Sequence, residues 1–140
     1  MRIDEIDILE VLPQRPPFCF VDRMVSYEEP DMVTEYTVTE DCLFLEDGVM
    51  RSAGLIENMA QSSAARVGYI NKFVKCQGVN VGFIGNVKGL KVYRRPSLGE
   101  TIRTRVELKQ EIFSISMVQA TVCVGEEKIA EATLKTVEVE

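Results

Sequence analysis

Glu57 is the residue of this sequence best placed to carry out chemistry. At about 100° per residue, a helix through this region brings it onto one face with the small residues Ala53, Ala60, Ala64 and Gly68. Small side chains allow close packing against another element, so we expect the Glu57 carboxylate to be buried or half-buried. Burying an ionisable carboxyl costs free energy unless the group is hydrogen-bonded or protonated, and such positions are often functional.

The chain contains no histidine, which restricts its acid–base chemistry. Any proton transfer must use carboxylates, thiols, tyrosines, lysines, backbone groups or water. The cysteines are scattered without a CxxC pair, so the sequence predicts reduced thiols, no metal site and no cofactor. They are Cys19, Cys42, Cys76 and Cys123.

Length and composition indicate one soluble globular domain covering residues 1–140. Of these 140 residues, 46% are hydrophobic and 27% are charged. No apolar run approaches the roughly 20 residues of a membrane span. The opening MRIDEIDILE is acidic, whereas a secretory signal is basic, so we expect a cytoplasmic protein that does not bind membranes. The net charge of −6 disfavours nucleic acid as a partner.

The charges are unevenly distributed along the chain. Residues 58–99 contain no acidic residue and seven basic ones, so this segment carries +7 and the remainder −13. One interpretation is a chance run of solvated cations. The other is a basic patch that docks an acidic carrier protein or a phosphate-bearing group. For that docking we select Lys88, Lys91, Arg94 and Arg95.

One long helix is predicted from residue 50 to about residue 73. Its small-residue face, which carries Glu57 and Gln61, is expected to pack tightly against a sheet. The opposite face is more polar. It contains Arg51, Asn58, Ser62, Arg66 and Tyr69.

The rest of the chain is typical of strands, apart from a short amphipathic helix predicted over residues 3–11 and ended by Pro13. A loop is expected around Gln77 and Gly78, and alternating side chains indicate strands on both sides of it. The predicted strands are 18–27, 32–39, 80–93, 101–111, 114–124 and 128–139. One helix followed by an antiparallel meander that wraps it defines an α+β class.

Three stretches carry a resemblance to a known family. ILEVLPQRPPFCFVDRMV (8–25) is similar to the family pattern LLPHRxPFLLVDRV, and LIENMAQSSA (55–64) to LIEAMAQ. GFIGNVKGLKVYRRPSLGETI (82–102) is similar to FAGIDEARFKRPVxPGD. In this order they resemble the hot-dog fold 3-hydroxyacyl-acyl-carrier-protein dehydratases (FabZ/FabA-like). The resemblance implies a curled antiparallel sheet around one central helix, in a dimer that binds acyl thioesters in fatty-acid or related acyl-chain biosynthesis.

The resemblance extends to only part of the family's catalytic site. Glu57 matches the carboxylate of the family's helix, and Gln61 matches the glutamine four residues later. The family's GHFPGxPxxPG segment supplies a catalytic histidine, but the corresponding residues 41–54, DCLFLEDGVMRSAG, contain none. Gln14 likewise replaces the histidine of the LPHR pattern.

Dehydration of a 3-hydroxyacyl thioester needs a base, an acid and a polarised carbonyl. The resemblance makes Glu57 the acid that protonates the leaving hydroxyl. Backbone N–H groups of Ser52, Ala53 and Gly54, at the helix start, would bind the thioester carbonyl, and Gln61 would also bind substrate. The missing base has candidate surrogates in a loop that is otherwise expected to be a solvated acidic segment. They are Glu40, Asp41, Glu46 and Asp47.

Three functions remain open at this point. The first is a dehydratase that uses Glu57 with a surrogate base or water. The second is a non-catalytic protein that binds acyl chains or their carrier, or the subunit of a heterodimer whose histidine-containing paralogue supplies the base. The third is an acyl thioesterase in which Glu57 activates water. Homodimer and heterodimer, and acyl carrier protein and coenzyme A, are left as alternatives.

Overall fold

The computed structural model describes residues 2–76 and 81–139. In chain order the elements are β1 (Arg23–Glu28), β2 (Asp31–Thr37), β3 (Leu45–Glu46), β4 (Val49–Met50), α1 (Ser52–Tyr69), β5 (Val81–Val92), β6 (Thr101–Ile112), β7 (Ile115–Val124) and β8 (Glu127–Val139). A π-helical turn, Ile70–Val74, continues α1. The α+β class is confirmed. The loop predicted around Gln77 and Gly78, and residue 80 of the predicted strand, lie outside the described residues.

The N-terminal predictions are only partly right. Residues 3–11 form two short 3-10 helices, Ile3–Glu5 and Ile8–Glu10, instead of one amphipathic helix. The Asp7 carboxylate accepts a hydrogen bond from the Leu9 amide at 2.9 Å and so begins the second turn separately. The first strand begins at Arg23, because α1 side chains bond the backbone of Phe18 and Phe20 in the predicted stretch 18–22. None of the described helices is long and apolar enough to cross a membrane.

A curled antiparallel sheet surrounds one side of α1. The six long strands lie in the order β1-β2-β6-β7-β8-β5, and β3 and β4 form a separate small hairpin before the helix. The helix packs on β2, β6 and β7. Leu55 and Met59 of α1 enter the main core, and Ala65 enters a second core formed with the N-terminal segment. Burial of these apolar side chains is the main stabilising contribution to the fold.

The polar face of α1 is the one that packs on the sheet, so the packing predicted for its small-residue face is wrong. Asn58 and Ser62 are 0% exposed and Arg66 is 4% exposed. The concave side of the sheet presents Thr34, which hydrogen-bonds Ser62 at 2.7 Å, and Thr104, which donates to the Asn58 side-chain oxygen. Because these buried polar groups are paired, the helix buries them without the cost of unmade hydrogen bonds.

The small-residue face of α1 is covered in part by the N-terminal segment. Gly68 permits the closest approach, since a Cβ at this position would lie 2.3 Å from the carbonyl oxygen of Val11. Towards the start of the helix this cover ends, and Ala53 and Glu57 are exposed. The same face therefore changes from packed to open along its length.

Candidate active site

A cavity of about 200 Å³ lies along the small-residue face of α1. Glu57, Ala60, Gln61, Ala64 and Val67 all line it, which confirms that these residues share a face. The opposite walls come from the N-terminal segment, from β5 and from the ends of β7 and β8. They include Val11, Gln14, Ile84, Ser116, Thr136 and Glu138.

Glu57 lines this cavity but is exposed in the single chain. The expectation that it is buried or half-buried is wrong for this chain, because Asn58 and Ser62 are buried against the sheet and Glu57 is left on the open side of the helix. In the part of the chain that the structure describes, its carboxylate has no hydrogen bond or ion pair. Its catalytic role stays a prediction.

The predicted carbonyl-binding residues lie at the first turn of α1. The Gly54 amide already donates to the Arg51 carbonyl at 2.9 Å, and Gly54 is buried where a Cβ would meet Met50. Ser52 is half-buried and Ala53 is exposed. The Gly54 amide is thus engaged within the chain, and carbonyl binding by the Ser52 and Ala53 amides stays a prediction.

Gln61 holds the segment that precedes β1. Its side-chain oxygen accepts from the Phe20 amide at 2.7 Å, and its side-chain nitrogen donates to the Phe18 carbonyl at 2.8 Å. Asn58 donates to the Phe20 carbonyl at 2.7 Å and completes the clamp. Because both ends of the Gln61 amide are engaged, its side chain holds the segment before β1 in place. The predicted contact with substrate stays untested.

The groups proposed to replace histidine do not form a base at the cavity. Glu40, Asp41, Glu46 and Asp47 are exposed, and none is among the described residues that line the cavity. Burial raises the pKa of the Cys19 thiol, which disfavours the thiolate. Burial, with a hydrogen bond to Cys42, raises the pKa of Tyr36 well above its usual range.

The predicted docking cations differ in their availability. Lys88, Lys91 and Arg95 are exposed. Arg94 instead bonds Glu127 at 3.0 Å and Glu100 at 2.7 Å, and these hydrogen bonds, Glu127 first, raise its pKa above the ordinary value. Arg94 therefore links the segment between β5 and β6 to the start of β8, and its charge is neutralised by Glu100, six residues away, and by Glu127.

The cavity also contains polar residues that the sequence interpretation did not assign to it. Ser116 and Thr136 are partners across β7 and β8, on the inward face, and the alternation of these strands was a signal for that position. Glu138 accepts a hydrogen bond from the Asn71 side chain at 2.7 Å. Gln14 lies on the N-terminal wall, and no sequence signal places it beside Glu57.

A single central helix on the concave side of a curled antiparallel sheet defines a hot-dog protein, and a carboxylate of this helix lines a cavity. A family model described as ApeP-like, ApeP dehydratase, matches residues 6–140. This chain belongs to the ApeP-like dehydratase family. The resemblance found in the sequence is thereby confirmed.

Individual relatives agree with this assignment. The FabZ 3-hydroxyacyl-[acyl-carrier-protein] dehydratase of Clostridium kluyveri is 32% identical over 135 residues, covering 91% of this chain and 90% of that protein. The dehydratase heterocomplex ApeI:P from Xenorhabdus doucetiae has a chain with a TM-score of 0.88 at 15% identity, covering 96% of this chain and 92% of its own. A hypothetical thioesterase with coenzyme A from Streptococcus pneumoniae has a TM-score of 0.67 at 11% identity, with 84% of each chain covered. Both solved structures support the fold.

Proposed function

We propose that this protein is the Glu57-bearing subunit of a dehydratase that acts on 3-hydroxyacyl thioesters. Glu57 supplies the acid, and a second chain, a histidine-containing paralogue, supplies the base. The observation that carries the proposal is the open position of Glu57: it lines a cavity, yet it is exposed and without a partner among the described residues.

A sheet edge next to the cavity offers a place for the second chain. β5 is the last strand of the described sheet, pairs only with β8 there, and runs for 12 residues. Ile84, which lines the cavity, and Leu90 are each 38% exposed on this strand. An exposed strand edge presents unpaired N–H and C=O groups that can bond another strand. A chain docked there would continue the sheet and cover the cavity.

Covering the cavity would also give Glu57 the environment that its role requires. A carboxyl withdrawn from water favours its protonated form and can then protonate the leaving 3-hydroxyl. The second chain's base would remove the proton beside the thioester carbonyl. The hydroxyl would leave as water as the double bond forms. The heterocomplex to which the Xenorhabdus doucetiae chain belongs is consistent with such an assembly.

The proposal is tested by assaying the chain alone and mixed with a histidine-containing dehydratase-like paralogue. Each sample receives 3-hydroxyacyl-coenzyme A or the same acyl group on acyl carrier protein. Enoyl formation and free thiol are followed together. Glu57→Gln is compared with Glu126→Gln, a matched change at an exposed carboxylate that does not line the cavity. We expect enoyl product from the mixture only, lost in Glu57→Gln and retained in Glu126→Gln. Loss of an acid typically costs about 10²- to 10⁴-fold in rate.

Each other result leads to a different conclusion. Enoyl formation by the chain alone would show that its own residues provide the base. Free thiol that depends on Glu57 would identify a thioesterase. Thioester binding without either product, even in the mixture, would leave a non-catalytic binding role.

For the carrier, we propose that Lys88, Lys91 and Arg95 dock an acidic acyl carrier protein. Lys88 and Lys91 lie on β5, and Arg95 follows it, so the three cations border the edge that leads to the cavity. Charge complementarity of this kind mainly increases the association rate and is weakened by salt. Arg94 is omitted because Glu127 and Glu100 neutralise it.

The docking proposal is tested by charge reversal. Lys88→Glu with Arg95→Glu should slow association with acyl carrier protein about tenfold or more at low salt, with binding of the same acyl-coenzyme A unchanged. Lys109→Glu, an exposed cation on β6, is the control. Equal carrier association in all three proteins would exclude this patch.

A further inference from the structure

The cavity that contains Glu57 is elongated along α1. Glu57 lies near the start of the helix, and Val67, ten residues later, also lines the cavity. At about 1.5 Å of rise per residue, the two positions are about 15 Å apart along the helix axis. An acyl chain whose 3-hydroxyl lies at Glu57 can therefore extend along the helix for about this distance.

Two contacts close the cavity at the C-terminal end of α1. The Val11 carbonyl, on the N-terminal wall, lies against the helix at Gly68, where a Cβ would be 2.3 Å away. On the other wall, the Asn71 side chain donates to the Glu138 carboxylate of β8 at 2.7 Å. Asn71 is one helical turn beyond Val67, so this hydrogen bond joins the helix to the sheet where the lining residues of α1 end. We call Asn71 and Glu138 the closing pair.

The inward face of the sheet becomes polar at the same end. Alternate residues of a strand share a face, and along β8 this face carries Leu134 in the core, then Thr136 and Glu138 at the cavity. On the neighbouring β7, Ser116 pairs with Thr136, is buried and also lines the cavity. The apolar surface that favours an acyl chain therefore gives way to hydrogen-bonding groups near the closing pair.

Separating the closing pair would weaken binding more than a longer chain strengthens it. Asn71 is 4% exposed, so a chain end that separated it from Glu138 would leave its amide buried without this partner. Loss of one such hydrogen bond to a charged group weakens binding about tenfold or more. One added methylene strengthens binding only about fourfold. Lengthening the chain by a carbon does not offset that loss.

We propose that the closing pair limits the length of the acyl chain that this site accepts. An extended chain advances about 1.3 Å per carbon, given a C–C bond of about 1.5 Å. The distance of about 15 Å therefore accommodates at most about a dozen carbons beyond C3, and longer chains reach the closing pair. The inference rests on the proposed function and adds to it the substrate class, which is 3-hydroxyacyl thioesters of short and medium length.

The test measures how affinity depends on chain length. Dissociation constants of saturated acyl-coenzyme A esters, from four to eighteen carbons, are determined by calorimetry in the assembly that binds thioesters. For the wild type we expect affinity to rise about fourfold per methylene up to a limiting length and then to stop rising. Asn71→Ala with Glu138→Ala removes both side chains of the closing pair, and its affinity should keep rising for at least two more carbons. At that length the double variant should bind about tenfold more tightly than the wild type.

Two variants show whether the hydrogen bond itself sets the limit. Glu138→Gln keeps a side-chain oxygen that accepts from Asn71, so its limiting length should be that of the wild type. Glu126→Ala, at an exposed carboxylate that is not among the described residues lining the cavity, should also leave the limit unchanged. Should the double variant fail to fold, Glu138→Ala alone provides the test, because Glu138 is only half-buried.

Contrary results are distinguishable. If wild-type affinity rises to the longest ester without a limit, or if the limiting length is the same in the wild type and the double variant, the closing pair does not set it and the proposed function is unaffected. If no ester binds, to the chain alone or with its partner, the proposed function fails and this inference fails with it.

Discussion

Replacing Gly68 by alanine tests how the N-terminal wall is held against the helix. The new Cβ would lie 2.3 Å from the Val11 carbonyl oxygen, which is 1.1 Å less than the 3.4 Å at which ordinary contact begins. Val11 is 1% exposed within the second core, so it has little space into which to move. Alanine is favoured over glycine by about 1 kcal/mol in a helix interior. Overpacking a core costs about 1–3 kcal/mol, and a backbone obstacle places this change at the upper end.

The expected net loss in the free energy of unfolding is therefore about 1–2 kcal/mol. In a chain of this length it corresponds to a fall in Tm of about 3–7 °C. Urea denaturation and thermal melting measure the loss directly. Amide hydrogen exchange adds a local measure: the Val11 and Leu12 amides both donate to the Ile8 carbonyl at 3.1 Å, and their exchange should accelerate in Gly68→Ala.

Gly85→Ala is the matched control, because the nearest atoms to its added Cβ lie at ordinary distances of 3.7 and 3.8 Å. We expect its stability to remain within about 0.5 kcal/mol of the wild type. A Gly68→Ala protein that is as stable as the wild type, with unchanged exchange at Val11, would refute the inference that this close contact positions the wall.

Three further predictions concern side-chain size on α1, the buried hydrogen bonds of Asn58 and the ion pairs of Arg94. Ala60→Leu should fill the cavity and abolish thioester binding with little change in Tm. Ala65→Leu, at a 0% exposed core position, should instead lower the free energy of unfolding by about 1–3 kcal/mol. Equal melting temperatures of the two variants would contradict this. Asn58→Leu leaves two buried partners unpaired and should cost about 2–4 kcal/mol in urea denaturation, and a loss below about 0.5 kcal/mol would count against the network. Hydrogen bonds from Arg94 lower the pKa of Glu100 below its ordinary 4.5. Ionised Glu100 therefore stabilises the folded state above pH 4.5, and this stabilisation is lost as the pH falls through the lowered pKa. Melting between pH 5 and pH 3 should accordingly fall less steeply in Arg94→Met than in the wild type, and parallel curves would oppose the assignment.

The helix and the strands were predictable because their patterns are local. The repeat of small residues along α1 follows helical periodicity, and residues 102–108 alternate as a strand does. The orientation of the helix was not predictable in the same way. Asn58 and Ser62 can be buried only because Thr34 and Thr104, distant in sequence, face them from the sheet. Hydropathy alone assigns such residues to the solvent.

The candidate site was likewise predictable only where it depends on local sequence patterns. Glu57 was identified from its position on the helix and from the family pattern, and its neighbours on that face do line the cavity. The place of Gln14 depends instead on the contact between Val11 and Gly68, which no spacing in the sequence reveals. Arg94 was selected from a run without acidic residues, but its partners Glu100 and Glu127 lie outside that run.

The hydrogen bonds between α1 and the sheet also fix the rotation of the helix about its own axis. Purely apolar contacts would tolerate a rotation about the helix axis, since one aliphatic side chain can take the place of another. Asn58 and Ser62 allow far less rotation of the helix. A turn by one residue would leave both side chains and their threonine partners buried without hydrogen bonds. The direction of Glu57, the immediate neighbour of Asn58, is therefore fixed by hydrogen bonds on the opposite face of the helix.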